Sequence, residues 1–116
     1  MILVIGGYGA GKTDFVYTLG YRAGEISDSA LSPLPVIKNI QNIVAAMPGE
    51  TDALFEALRG KDVLVCNEIG CGIVPIDNDE RRVREETGRL CIRLAQTATA
   101  VIRVQCGIPV VIKGAL

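Results

Sequence analysis

With 116 residues, 49% of them apolar and 22% charged, the chain is long enough for one hydrophobic core and too short for two. Twelve basic against thirteen acidic side chains leave a formal charge of -1, which removes the electrostatic case for nucleic-acid or anionic-membrane binding. The apolar stretches fall well short of the roughly 18 residues a membrane span requires, and no charged segment precedes the first of them, so a soluble, cytoplasmic, single-domain protein spanning residues 1–116 is expected.

Met1 to Ile5 is continuously apolar and β-branched and stops at Gly6-Gly7, the pattern of a buried strand entering a tight loop. From Lys12 to about Ala23, Phe15, Val16, Leu19 and Ala23 recur at helical spacing. Residues 24–35, rich in Ser, Pro and acidic side chains, read as a loop. Val36, Ile40, Ile43, Val44 and Met47 then follow a helical period that Pro35 could open and Pro48-Gly49 would close, with a very short strand at Val36-Ile37 as the alternative. Thr51 is placed to cap a short helix carrying Leu54, Phe55 and Leu58, with Gly60 after its end.

Asp62 to Asn67 contains a second buried-strand run, VLVC, followed by the glycine-punctuated NEIGCGIVP. Asp77 or Asn78 can cap a long helix to about Thr97, with Val83, Thr87, Leu90, Cys91, Leu94 and Ala98 on one face and Arg81, Arg82, Arg84, Arg89 and Arg93 elsewhere. Two further strand-like runs, 100–105 and 110–112, flank the turn Cys106-Gly107-Ile108-Pro109. Alternating strands and helices predict an α/β fold: a minimal, P-loop NTPase-like, mainly parallel sheet with helices on both faces. Ligands in such sheets sit at the carboxyl ends of strands, where both glycine-rich segments fall. Cys66, Cys71, Cys91 and Cys106 form no C-x-x-C pair and the chain has no histidine, so four small buried thiols are expected rather than zinc or a disulfide framework.

Gly6-Gly7-Tyr8-Gly9-Ala10-Gly11-Lys12-Thr13 satisfies G-x-x-x-x-G-K-[ST]. Its glycines let successive backbone N–H groups face a polyphosphate, Lys12 adds a positive charge for the β- and γ-phosphates, and Thr13 offers a hydroxyl to Mg²⁺. ATP or GTP is the expected nucleotide. The motif lies between an apolar strand and an amphipathic helix, as phosphate binding requires, whereas a mere packing turn would not explain a lysine and a threonine at these positions. Glu68, directly after the second buried strand, is the candidate to position metal or an acceptor hydroxyl. Asp14 and Asp62 are weaker candidates. The arginines of the 78–97 helix are read either as phosphate or subunit contacts or as a solvated stripe.

The segments MILVIGGYGAGKT, VLVCNEIGCGIVP, RRVREETGRLCIRLA and VQCGIPVVIK resemble the bifunctional adenosylcobinamide kinase / adenosylcobinamide-phosphate guanylyltransferase family of cobalamin biosynthesis. That resemblance covers roughly the first 20 and the last 55 residues. It implies an α/β P-loop fold, a homo-oligomer, and phosphorylation of the corrinoid aminopropanol hydroxyl by a nucleoside triphosphate. It supports Gly6, Gly7, Gly11, Lys12 and Thr13 as phosphate contacts, adds weight to Glu68, Gly70, Gly72 and Pro75, and matches Arg81, Arg84, Gly88, Arg89 and Arg93 to the family's helix. Gly70, Gly72, Arg81, Arg84 and Arg89 are accordingly taken as possible substrate or phosphate contacts. Three departures stand out. The chain has no histidine to carry a guanylyl group, its middle is shortened, and Lys38 stands where the family's third strand usually ends in an acid. The reading is therefore an adenosylcobinamide-kinase-like protein without histidine-dependent guanylyltransfer. Its alternatives are a non-catalytic nucleotide- or corrinoid-binding protein acting as sensor, carrier or assembly partner, and a P-loop kinase of another small alcohol.

Overall fold

The computed structural model describes residues 1–68 and 77–115. Gly70, Cys71, Gly72 and Pro75 lie outside the described residues. The elements run β1 (Ile2–Gly6), α1 (Lys12–Thr18), β2 (Ile26–Asp28), β3 (Val36–Lys38), α2 (Ile40–Ala46), α3 (Thr51–Leu58), β4 (Val63–Asn67), α4 (Asn78–Thr97), β5 (Ala100–Gln105) and β6 (Ile108–Lys113). They form one sheet of order β2-β3-β4-β1-β5-β6. All neighbours pair parallel except β5 and β6, which are antiparallel.

The central strands are buried on both faces, which explains their unbroken apolar runs. Leu3, Ile37, Leu64, Cys66 and Val101 face α2, α3 and α4 in one cluster. Val4, Val36, Val63, Val65, Ile102 and Val104 face Phe15 and Val16 of α1 in the other. The P-loop-type α/β architecture expected above is thus the one observed. Helix α4 buries the stripe Thr87, Leu90 and Leu94, with Ala98 behind its last turn. Its Arg93 bonds Asp52 of α3 at 2.6 Å and lies over the Phe55 ring at 4.2 Å.

Several local expectations need correction. Helix α1 ends at Thr18 rather than near Ala23, because Gly20 takes φ +100° and stops it as a left-handed terminator does. The expected 24–35 loop contains a 3₁₀ turn, Ala23–Glu25, and the edge strand β2. The helix drawn from Val36 is instead strand β3 followed by α2. Asn39, at φ 58°, makes the break in a left-handed conformation that asparagine tolerates. Thr51 is the first residue of α3 and Glu50 its cap, without a capping side-chain bond. The last strand is longer than expected, and its hairpin turn is Cys106-Gly107, both at positive φ, as a two-residue hairpin prefers.

Asp77 does cap α4, its side chain accepting from the Asp79 N–H at 2.7 Å. Asp77→Ala is expected to destabilise the protein by about 1 kcal/mol. The check is a lower urea midpoint at unchanged slope.

Candidate functional site

The phosphate-loop sequence leaves β1 at Gly6 and returns into α1 at Lys12. Gly11 holds φ +95°, and its carbonyl accepts the Phe15 N–H at 3.0 Å, the first turn of the helix. Inside the loop, the Gly7 carbonyl accepts from the Ala10 N–H at 3.2 Å and from the Lys12 ammonium at 2.6 Å. Lys12 is therefore folded back under its own loop and buried. That burial lowers its pKa from the ordinary lysine value, against the opposing influence of Cys66 and Glu68. A cavity of about 310 Å³ opens on the loop, lined by Gly9 to Thr13 together with Asn39 and Asn67. Tyr8 stands almost fully exposed at its rim.

Strand register brings the end of β4 to the same place. Gly6 is paired with Asn67, and the Glu68 N–H donates to the Gly6 carbonyl at 2.8 Å. The Asn67 N–H is held by Gln41 Oε1 at 3.1 Å. On the other flank of β1, Ile5 is paired with Arg103 of β5. Glu68 and Arg103 meet across the end of β1 in a two-pronged contact: Nε to Oε1 at 2.7 Å and Nη2 to Oε2 at 3.1 Å. The geometry is that of a strong guanidinium–carboxylate pair. Because both side chains are partly solvated, the net stabilisation is about 1 kcal/mol or less. A phosphate or metal arriving at the loop can therefore separate them at small cost.

At the ends of β2 and β3 a polar cluster replaces a lone acid. Lys38 faces Asp28 at 3.9 Å, and Asp28 accepts from Asn39 and Ser29, each at 2.7 Å. Those two hydrogen bonds, helped by Lys38, hold the Asp28 carboxyl below its ordinary pKa. A carboxylate thus sits at the strand ends beside Lys38, supplied by the neighbouring strand.

Gly9 to Thr13 line the loop cavity, and Glu68 lies beside the loop on its β5 flank. Arg81 and Arg89 are exposed on α4, and Arg84 is half-buried there. Among the described residues, Arg103 shares a second cavity of about 390 Å³ with Gly7 to Ala10, Glu68 and Cys106. Sequence reasoning passed over it, although an arginine interrupting the apolar run Val101 to Val104 is a signal in itself. The cysteines are not uniformly buried: Cys66 is, Cys91 is intermediate, and Cys106 is exposed on the hairpin turn. The Cys66 thiol is pushed well up by its hydrogen bond to Cys91 and by burial.

Residues 35–112, more than half of the chain, match the sequence model of the family described as cobinamide kinase / cobinamide phosphate guanyltransferase. The bifunctional adenosylcobalamin biosynthesis protein CobP of Pseudomonas aeruginosa is 37% identical over 71 residues, which cover 59% of this chain and 41% of that protein. The matched region thus spans about two fifths of the relative's length. With the mainly parallel sheet and Lys12 folded under its loop in place, this match shows that the chain belongs to the cobinamide kinase / cobinamide phosphate guanyltransferase family.

Proposed function

We propose that the chain binds ATP or GTP on the loop from Gly6 to Thr13 and transfers the γ-phosphoryl group to the aminopropanol hydroxyl of adenosylcobinamide, as a step of cobalamin biosynthesis in the cytoplasm. The observation that carries this reading is the buried Lys12 ammonium, folded into the loop within electrostatic reach of Glu68. In this mechanism Lys12 exchanges the Gly7 carbonyl for phosphate oxygens and balances charge on the transferred group. Glu68, released from Arg103, accepts the proton of the acceptor hydroxyl as its oxygen bonds to the γ-phosphorus and the nucleoside diphosphate leaves.

Among the described residues no group of three His, Cys, Asp or Glu could hold a metal ion. A metal here would take most of its ligands from phosphate and water, which suits Mg²⁺. Thr13 would be its protein ligand, and the ion would supply charge neutralisation at the β- and γ-phosphates. Guanylyltransfer through a histidine is not part of the proposal, since the chain has none. A homo-oligomer is part of it, supported by the exposed apolar side chains Ile92, Ile108, Val110 and Ile112 around β6.

The second reading, a nucleotide- or corrinoid-binding protein without catalysis, is favoured by the occupation of Glu68 by Arg103. One purified sample separates the two. Incubated with Mg²⁺, adenosylcobinamide and ATP or GTP, the enzyme yields a corrinoid heavier by one phosphoryl group. Tight binding in calorimetry with no transfer leaves only the second reading. Glu68→Gln is expected to lower transfer about a hundredfold while nucleotide affinity stays nearly constant, checked by initial rates and calorimetry.

A further inference from the structure

The ends of β2, β3 and β4 are tied to the first turn of α2 by a run of hydrogen bonds with a fixed direction. Asn39 Nδ2 donates to Asp28 Oδ1 at 2.7 Å. Gln41 Nε2 donates to Asn39 Oδ1 at 3.3 Å, and Gln41 Oε1 accepts the Asn67 N–H at 3.1 Å. The oxygen and nitrogen of an amide side chain can exchange places, and only the partners decide between them. Here the two ends of the run agree. Asp28, held as a carboxylate, can only accept, and the Asn67 backbone N–H can only donate. The Asn39 amide therefore turns its nitrogen to Asp28 and its oxygen to Gln41. Asp28 is itself fixed by Ser29 Oγ, which donates to it at 2.7 Å and accepts from Asn42 Nδ2 at 2.9 Å. The backbone of Asn39 is constrained as well, at φ 58° where the chain breaks from β3 into α2.

This oriented amide lines the same cavity as Gly9 to Thr13, but it comes from the end of β3 rather than from the loop. A loop of this type cradles the inner phosphates with its backbone N–H groups, and its lysine reaches the outer ones. A wall supplied by another strand therefore meets the end of the phosphate chain remote from the nucleoside. The Asn39 nitrogen carries two hydrogens. Asp28 takes one, and among the described residues nothing takes the second. A neutral N–H donor in the wall of a cavity that also holds Lys12 and Thr13 suits a phosphate oxygen.

We propose that Asn39 recognises the terminal phosphate of the nucleotide by donating its second amide hydrogen, and that Asp28 and Gln41 are positioning residues that hold the amide for it. The assignment rests on the reading of the loop as a nucleotide site, and it adds a residue that distinguishes a triphosphate from a diphosphate.

Calorimetry with ATP and with ADP, each with Mg²⁺, tests it. Asn39→Gly, which removes the amide and keeps the left-handed turn, is expected to weaken ATP about tenfold and leave ADP unchanged. Asp28→Asn acts from outside the cavity lining. It replaces an obligatory acceptor with a group that can also donate, and it shifts the ATP-to-ADP ratio in the same direction by about threefold. A purely structural role would weaken both nucleotides alike. Phosphorus NMR gives a second readout: the γ-phosphorus resonance of bound ATP moves in Asn39→Gly, while the α resonance stays in place. Equal losses for ATP and ADP, or unchanged ATP affinity with an unmoved γ resonance, overturn the assignment and leave the loop standing as the nucleotide site. A wild type that binds neither nucleotide sinks the loop reading and the assignment with it. Should Asn39→Gly fail to fold, the ratio in Asp28→Asn decides.

Discussion

Lys12→Ala is expected to lower phosphoryl transfer by about a thousandfold while barely changing the melting temperature. The first half follows from charge. Removing one preorganised donor from a transition state costs on the order of 10²- to 10³-fold, and Lys12 is the side-chain cation buried within the loop. The second half follows from the bond that remains. Without Lys12 the Gly7 carbonyl still accepts from the Ala10 N–H, so the loop loses one of two donors to that oxygen and leaves nothing orphaned. Initial rates with adenosylcobinamide and a thermal melt on one preparation check both halves. A variant that melts far below the wild type would show that Lys12 holds the loop together rather than serving phosphate.

Gly6→Ala should do the opposite and damage stability and binding together. A β-carbon at Gly6 would lie 2.5 Å from the Val104 carbonyl oxygen and 3.3 Å from the Lys12 methylenes. The Val104 carbonyl does not yield easily, since it is backbone of β5 and β5 is fixed to β1 by the ladder from Ile2↔Ala100 to Ile5↔Arg103, whereas the Lys12 stem is a side chain that can be pushed aside. Overpacking of this kind costs about 2–3 kcal/mol, a drop in melting temperature on the order of 10 °C. Displacing the Lys12 stem removes nucleotide affinity as well, which calorimetry would register. Gly7→Ala is the control. Nothing lies within 4 Å of a β-carbon there, so its stability should match the wild type.

These two positions also show what the sequence made legible. A strand that must be buried on both faces leaves an unbroken apolar run, so β1 and β4 could be read directly. Helix α4 is long enough for its stripe and its Asp77 cap to agree. The signals faded where elements are too short to express a period. Strand β2 is Ile-Ser-Asp, and only its pairing with β3 marks it as a strand. Val36 and Ile37 fit a helical spacing with Ile40 and Val44, and the left-handed turn at Asn39 that separates strand from helix has no apolar signature. Arg103 was harder for a different reason. It reads as an ordinary member of its strand, and its meaning depends on what lies across the gap, a carboxylate from beyond the end of another strand.

The hairpin turn also provides a built-in reporter. The Gly107 N–H donates to the Ala10 carbonyl at 2.8 Å, and a β-carbon on Gly11 would come within 3.2 Å of the Gly107 α-carbon. The crest of the β5–β6 hairpin and the phosphate loop are therefore latched by one amide proton on an otherwise exposed turn. Its exchange with solvent deuterium is governed by how often that latch opens. Following that single resonance through a nucleotide titration would time the breathing of the loop without a label, a mutation or a turnover assay.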